Sequence, residues 1–418
     1  YLSGQDAEGG IVTLDMGGTS ADIAFIEGGE PLEVTEVVVA RRPLGVPALD
    51  LTTISAGGGS IAWIDRGGFL CVGPQSAGAS PGPACYGKGG ENPTVTDADI
   101  VLGYLNPDYF LGGLQSLDVR ASERALDEKV AKPLGMSVQE AAAGVRRIVD
   151  LRMADEVKVF GAKRGVDPQD FCLLPFGGAG AVHAASVAEE LGIKRIFVPP
   201  RPGAFSALGL LCTDIVHDYV RSELRPMELV TPEHAEEVFK ELEARGLAEL
   251  EKEGIIPEGA FFDRELDVRY TGQGYELRVS LEGLGGNAGI TQKDMHAARE
   301  RFDERHSQIH GHAANDRAVE IVSYRVRLRV KVPKYEPQLA GNLIEKPAPE
   351  GSVKGNRMVF FQADQATDTT LYERDLLPIG ARLDGPAIIE QFDSTIVVPE
   401  SWVGHIDGLR NLILSRGK

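Results

Sequence analysis

At 418 residues the chain is too long for one comfortable hydrophobic core, and at about 150 residues per domain it is expected to form two to three domains. Hydrophobic residues make up 43% and charged residues 25%, a globular balance that excludes a disordered or fibrous chain. The formal net charge of −19 excludes nucleic acid and anionic membranes as natural partners, so an anionic ligand must find local positive potential in backbone N–H groups, a helix N-terminus or a divalent cation.

The chain opens on Tyr1-Leu2-Ser3-Gly4 without an initiator Met, and a strand follows almost at once, which suggests a fragment or a processed chain. Residues 11–15, 21–26 and 32–39 are β-rich and separated by glycine turns at 17–18 and 28–29, predicting a three-stranded meander. Between 56 and 95 the text turns to Gly, Ser, Pro and Ala, from Gly57-Gly58-Gly59-Ser60 to Ser80-Pro81-Gly82-Pro83, predicting long ordered loops of functional use. Ser137-Val138-Gln139-Glu140 fits a capping box, and Val145, Ile148, Val149, Met153 and Val157 recur at helical spacing, so a long helix is predicted to end near Gly165. A buried strand is expected at 171–176, a helix at 181–191 with Gly192 as its C-cap, and another strand at 194–198. That order belongs to a sheet flanked by helices.

From Glu223 the style changes to a charged amphipathic helix at 233–253, strand-like 264–280 and a polar helix near 292–309. Strands dominate after Val319 and again through 357–398. The expected division is therefore 1–222 as an α/β core, 223–330 as an α+β domain and 331–418 as a C-terminal β-rich domain. Cys71, Cys85, Cys172 and Cys212 are widely spaced without a C-x-x-C pair, which reads as reduced thiols of a cytoplasmic protein. No apolar run approaches the roughly 18 residues of a membrane helix, so no membrane span is expected.

Two glycine turns carry the functional reading. In Asp15-Met16-Gly17-Gly18-Thr19-Ser20 the glycines let backbone N–H groups approach phosphate oxygens, and Thr19 and Ser20 add hydroxyls. Asp15, at a strand end, is placed to hold a hydrated Mg²⁺ (or Mn²⁺) or to orient the attacking group, and Asp22 shares the strand face of Ser20. The second turn, Gly177-Gly178-Ala179-Gly180, lies between a buried strand and a helix N-terminus, where anions are favoured. A dinucleotide fingerprint is a poor fit, because Gly178-x-Gly180-x-x-His183 lacks the third glycine and Val198-Pro199-Pro200 brings no ribose-binding acid.

Ile11–Phe25 (IVTLDMGGTSADIAF), 55–98, Phe176–Ala184 (FGGAGAVHA), 199–209 (PPRPGAFSALG), 267–273 and 393–399 (DSTIVVP) together resemble the hydantoinase A/oxoprolinase family, and the likeness spans nearly the whole chain. The resemblance implies an actin-like ATPase (sugar kinase/Hsp70/actin) fold for the α/β core, with 15–19 as the second phosphate motif and 177–180 as the adenosine motif. It places the first phosphate motif in a preceding N-terminal domain. It further implies ATP with Mg²⁺ or Mn²⁺ as cofactors and a hydantoinase B-type subunit as partner. The implied activity is ATP-dependent activation of a small cyclic amide, a hydantoin or 5-oxoproline, for hydrolysis. Alternatives are an acetone or acetophenone carboxylase subunit, and a non-catalytic actin-fold module whose nucleotide gates partner binding. On this resemblance Asp15 and Asp97 manage the metal or proton, Gly17, Gly18, Thr19, Ser20, Asp22, Gly177, Gly178 and Gly180 hold the nucleotide, and Gly58 and Gly59 approach phosphate or substrate. His183, at the first turn of the helix after the glycine loop, is placed to contact substrate or phosphate, although a packed or capping histidine is the commoner use of such a position.

Three other features are read as structural. His306, His310 and His312 suggest a metal cluster, but Gly311 interrupts the helix and no Cys completes the set, so a solvated helix end is expected. Cys85, flanked by proline and tyrosine, is expected to be a packed loop thiol. The acidic run from Glu236 to Glu253 is expected to form a solvated helix face.

Overall fold

The structure, a computed structural model, describes residues 9–34, 37–39, 42–44, 48–255, 259–286, 289–314, 316–335, 339 and 344–417. The Tyr1-Leu2-Ser3-Gly4 start and parts of the expected strand at 32–39 lie outside them. The chain forms two compact units, one of residues 1–209 with 336–418 and one of residues 210–335.

The first unit is built on a ten-stranded sheet whose central strands are β1 (Ile11–Met16), β2 (Ala21–Glu27), β3 (Leu51–Ile54), β4 (Cys172–Phe176) and β5 (Arg195–Val198). β1 runs antiparallel to β2 and parallel to β4, which in turn runs parallel to β5. The alternating burial of β1 and β2 follows their period-two sequences, with Val12, Leu14, Ile23 and Phe25 inside. β4 is buried along nearly its whole length, as its unbroken apolar run requires. The third meander strand is not formed as expected, because Val37–Val39 pairs only with Arg42–Leu44, and β3 takes the place beside β2.

Three helices support the sheet: α1 (Val95–Val101), α2 (Val138–Arg164) and α3 (Gly177–Leu191). The predicted capping box starts α2, with Ser137 accepting from Glu140 N and the Glu140 carboxylate accepting from Ser137 N, and left-handed Gly165 ends it. α3 begins at Gly177, earlier than its sequence suggests, and ends at Gly192 as predicted.

The expected separate domain at 331–418 is instead part of the first unit. Strand β6 (Ala387–Gln391) pairs with β7 (Ser394–Val398) in a four-stranded sheet, while β8 (Trp402–Ile406) and β9 (Leu412–Arg416) extend the main one. The bond is register-specific: Ile196 opposes Leu414 and Phe197 opposes Ile413 across β5 and β9. An apolar strand edge on β5 is closed this way, and local sequence style cannot report such long-range pairing.

The second unit is a four-stranded antiparallel sheet in the order 215–226, 319–330, 260–270, 277–280, with helices Pro232–Glu253 and Gln292–His310. Its helix is less solvated than expected, since Glu236 and Glu243 clasp Arg264, with Arg264 Nη1 2.7 Å from Glu236 and Nε 2.6 Å from Glu243. His306 is likewise buried rather than solvated, its Nδ1 lying 2.7 Å from the His312 carbonyl and its ring on Tyr270 and Phe302. The His310 side chain lies outside the described residues. Among the described residues no three His, Cys, Asp or Glu groups gather as a metal site.

Candidate functional site

The β1–β2 turn is a tight one in which Gly17 N donates to Ser20 O at 3.1 Å. Its outer face is open: a Cβ on Gly17 or Gly18 would meet nothing within 4 Å. Its inner face is backed by the Gly57-Gly58-Gly59 loop. Gly58 N and Gly59 N donate to the carbonyls of Gly17 and Gly18 at 3.0 and 2.6 Å. A Cβ on Gly57 would come within 2.5 Å of Thr19 N, so this backbone-on-backbone contact admits only glycine. The loop is fixed in turn by Thr96 of α1, whose N and Oγ1 both donate to Gly58 O at 2.8 Å.

Gly177, at φ +77°, turns the chain from β4 into α3 so close to β1 that a Cβ would lie 2.6 Å from Asp15 Oδ1. Phe176 offers no side-chain cap to α3, and the first turn carries no acidic residue, so the first N–H groups and the positive end of the helix are left for a ligand.

These pieces enclose one cavity of about 200 Å³. One wall is backbone, from Gly17, Gly18, Gly58, Gly178 and Ala179; another is aromatic, from Tyr86, Tyr109, Phe110 and Phe392; and a polar rim comes from Asn106, Gln391 and Asp393. The β6–β7 turn supplies Gln391 to Thr395, which is how the C-terminal segment reaches the site. Asp393 also accepts from Gly203 N at 2.9 Å, tying in the 199–209 loop.

Asp15 stands behind the turn, half-buried, accepting from Ser206 Oγ at 2.8 Å. Burial raises its pKa, the Ser206 bond partly offsets this, and Asp22 opposite raises it further. Asp22 is held by Thr53 Oγ1 at 2.5 Å on β3, and Thr19 Oγ1 lies 3.5 Å from Ser76 Oγ.

Several expected site residues have other work. Asp97 is wholly buried, and its oxygens accept from Ala84 N, Cys85 N, Thr94 N, Thr94 Oγ1 and Ser122 Oγ, so it staples the 84–97 loop and caps α1 instead of facing a reactant. Cys85 is a packed thiol, pushed up by burial and by the nearby Asp97. Gly180 lets α3 pack on β1, where a Cβ would sit 3.0 Å from Leu14 O. Gly59 spends its N–H on the turn, so it shapes the wall without offering that donor to a ligand.

His183 is the clearest correction. It is fully buried one residue behind the cavity-lining Val182, with Nδ1 2.6 Å from Asp150 and Nε2 3.3 Å from Asp99. Arg146 completes a tetrad, 2.8 Å from Asp99 and donating to Val182 O at 2.6 Å. Burial opposes the imidazolium, but the two carboxylates outweigh it and push His183 up to about 9. The ring is a cationic clasp between α1, α2 and α3 and touches no ligand space.

Residues missed in the sequence include Thr96, Asp99, Asn106, Tyr109, Phe110 and Gln391 to Thr395. Thr96 and Asp393 fall inside stretches singled out for their resemblance; the 105–111 segment had no such signal.

Fold and site together define a mixed α/β protein with a cavity lined by the backbone of a glycine hairpin and of an uncapped helix start. Models of the hydantoinase/oxoprolinase family match residues 1–219, and of its C-terminal domain residues 228–416, so the chain belongs to that family. It is 36% identical to caprolactamase subunit alpha of Pseudomonas jessenii over 95% of this chain and 57% of that one. It is also 36% identical to the acetophenone carboxylase gamma subunit of Aromatoleum aromaticum, over 93% of this chain and 54% of that one. A solved nucleotide-free acetone carboxylase, described in terms of ATP-dependent acetone carboxylation, superposes with TM-score 0.87 and 29% identity over 99% of this chain and 59% of that one. The fold is thus the actin-like ATPase type that the motifs imply. The chain spans little more than half the length of these relatives. Among the described residues no helix is long and apolar enough to cross a membrane.

Proposed function

We propose that this chain contributes one wall of an ATP site in an enzyme subunit that activates the ring amide of a small cyclic amide, of the hydantoin, 5-oxoproline or lactam kind, for hydrolysis with a B-type subunit. The observation that carries the reading is that one cavity is lined both by Gly17-Gly18 and by the uncapped start of α3 at Gly178. Two sets of backbone donors at one cavity suit a polyphosphate, whose charge is spread over several oxygens. The name of the caprolactamase relative favours a lactam among cyclic amides.

ATP, when bound, would supply the phosphoryl group that turns the amide oxygen into a leaving group and makes the attached ring carbon electrophilic. The chain's own residues position and neutralise. Gly18, which lines the cavity, and its neighbour Thr19 carry turn N–H groups to which no described residue is bonded, and these would hold the phosphates. Gly178 and Ala179 add the helix N-terminus. Asp15 is the fitting partner for a phosphate-borne Mg²⁺ or Mn²⁺, because one carboxylate suffices for an ion that keeps waters and phosphate oxygens, and the described residues form no protein-only cage. The aromatic wall excludes water from the opposite side.

A ketone carboxylase subunit is the second reading, favoured by an identity to acetophenone carboxylase equal to that with caprolactamase. ATP hydrolysis by the intact protein with its B-type subunit separates the two: stimulation by caprolactam, hydantoin or 5-oxoproline supports the first, and stimulation only by ketone plus bicarbonate replaces it with the second. Nucleotide-dependent association without either stimulation would leave a non-catalytic binding module. Asp15→Ala in the intact protein is expected to weaken Mg·ATP at least about tenfold, the scale of one charge-assisted contact. Unchanged affinity in calorimetry removes Asp15 from the site.

A further inference from the structure

A second cavity of about 290 Å³ in the first unit is lined by Pro200, Arg201, Arg374, Asp375, Leu377, Ile406 and Arg410. Its chemistry is the reverse of the chain's average. In a protein of net charge −19, three guanidinium groups converge here on a lining that contains one carboxylate.

Arg374 is the anchor. Its residue is only 5% exposed, Nη2 donates to the Arg410 carbonyl at 2.9 Å, and Nη1 is buried with no hydrogen-bond partner. A buried guanidinium nitrogen left unbonded is costly, and such groups are ordinarily satisfied by protein, water or a ligand. Burial, together with Arg410 and Arg201, lowers the Arg374 pKa to about 9, against the opposing pull of Asp407 and Asp375, so the guanidinium remains charged at neutral pH.

The neighbouring charges do not cancel it. Asp407 turns its oxygens to its own loop, accepting from Leu409 N, Asn411 N and Asn411 Nδ2. Asp375 meets Arg201 at 3.2 Å at the exposed mouth, a pair of the kind worth little in water and easily exchanged. Among the described residues Arg410 is one of two non-glycine residues with positive φ, at +65°. A long cationic side chain is therefore kept at a turn position that glycine or asparagine would occupy without strain, and strain of this kind concentrates at functional sites.

We propose that the cavity walled by Arg201, Arg374 and Arg410 binds an oxyanion of the phosphate class. Three guanidinium groups against the carboxylates of Asp375 and Asp407 leave a net positive charge for an oxyanion, and forked guanidinium donors suit tetrahedral oxygens. The site is separate from the glycine-walled cavity and does not depend on the nucleotide reading. It lies close to it in space, because Gln391, which lines the glycine cavity, donates to the carbonyl of Pro200, which lines this one, at 3.4 Å.

The test is calorimetric titration of the intact protein, at constant ionic strength, with inorganic phosphate and separately with glycerol 3-phosphate. Arg201→Ala and Arg410→Gly are the variants. The first side chain is exposed, and the second substitution keeps the carbonyl that Arg374 needs while relieving the positive φ, so both are expected to fold. Saturable binding weakened about tenfold by each variant is the expected result. Tighter inorganic phosphate points to the free ion, and tighter glycerol 3-phosphate to an esterified phosphoryl group. Because neither substitution touches the glycine cavity, phosphate bound at that cavity would be unaffected by them. Absence of saturation with both ligands, or equal affinity in wild type and both variants, overturns the proposal.

Discussion

The glycine-walled cavity and the ionic tetrad behind it adjoin at Asp99, which belongs to both, and at Val182 beside His183, yet they are built on opposite principles. The cavity wall presents mostly backbone and few titratable groups, whereas the tetrad concentrates Asp99, Arg146, Asp150 and His183 in the interior, with Asp99 alone of the four also lining the cavity. In this chain most of the buried charged side chains near the cavity hold the scaffold, and glycine backbone forms much of the cavity lining. A buried, mutually paired set of charges locks three helices in one arrangement, and the positions of Thr96 on α1 and Gly178 on α3 inherit that precision.

The comparison breaks most visibly if the tetrad proves dispensable. Asp150→Ala leaves His183 facing Asp99 and Arg146 with one buried carboxylate missing, and is expected to cost about 3–5 kcal/mol in denaturant unfolding, the penalty for stranding a buried charge. A loss below about 1 kcal/mol would show that the tetrad is solvated and open to a catalytic role.

A smaller effect is expected from pH. His183 is raised in the folded protein from its ordinary 6.5 to about 9, so its contribution to stability is complete below about pH 6.5 and is lost as pH rises through 9. Unfolding midpoints in wild type should therefore fall between pH 6.5 and 9.5, and His183→Gln should flatten that fall. An unchanged pH profile in the variant would show that the imidazole is neutral in the fold.

The cavity wall is probed by Gly57→Ala. The new Cβ, 2.5 Å from Thr19 N, has to displace the phosphate turn, with an expected stability loss of about 1–3 kcal/mol and weaker nucleotide binding. Gly28→Ala, at a turn where a Cβ meets nothing within 4 Å, serves as its control: it has a positive φ but no ligand to disturb, so stability alone should change. Equal nucleotide affinity in Gly57→Ala and wild type would separate the turn from the ligand.

Much of this was legible in the sequence. Period-two strands β1 and β2, the capping box at Ser137, the C-caps at Gly165 and Gly192, and the glycine hairpin are local, because capping, alternation and φ preference act over a few residues. The resemblance identified the family from motifs distributed over the chain. What those signals could not report was which side of each motif faces the ligand. Asp97 and His183 look reactive in one dimension, and only packing shows Asp97 taking five donors and His183 clasped by two carboxylates.

The sequence by itself determined the glycine hairpin, the helix that follows the second glycine turn and the family they belong to, since each rests on neighbouring residues. Tertiary structure alone decided that β9 joins β5, that the β6–β7 turn completes the cavity rim, and that Arg201, Arg374 and Arg410 meet at one cavity. The physical reason is that these contacts join residues more than 170 positions apart, and their free energy comes from buried edges and shared charge that no local pattern encodes.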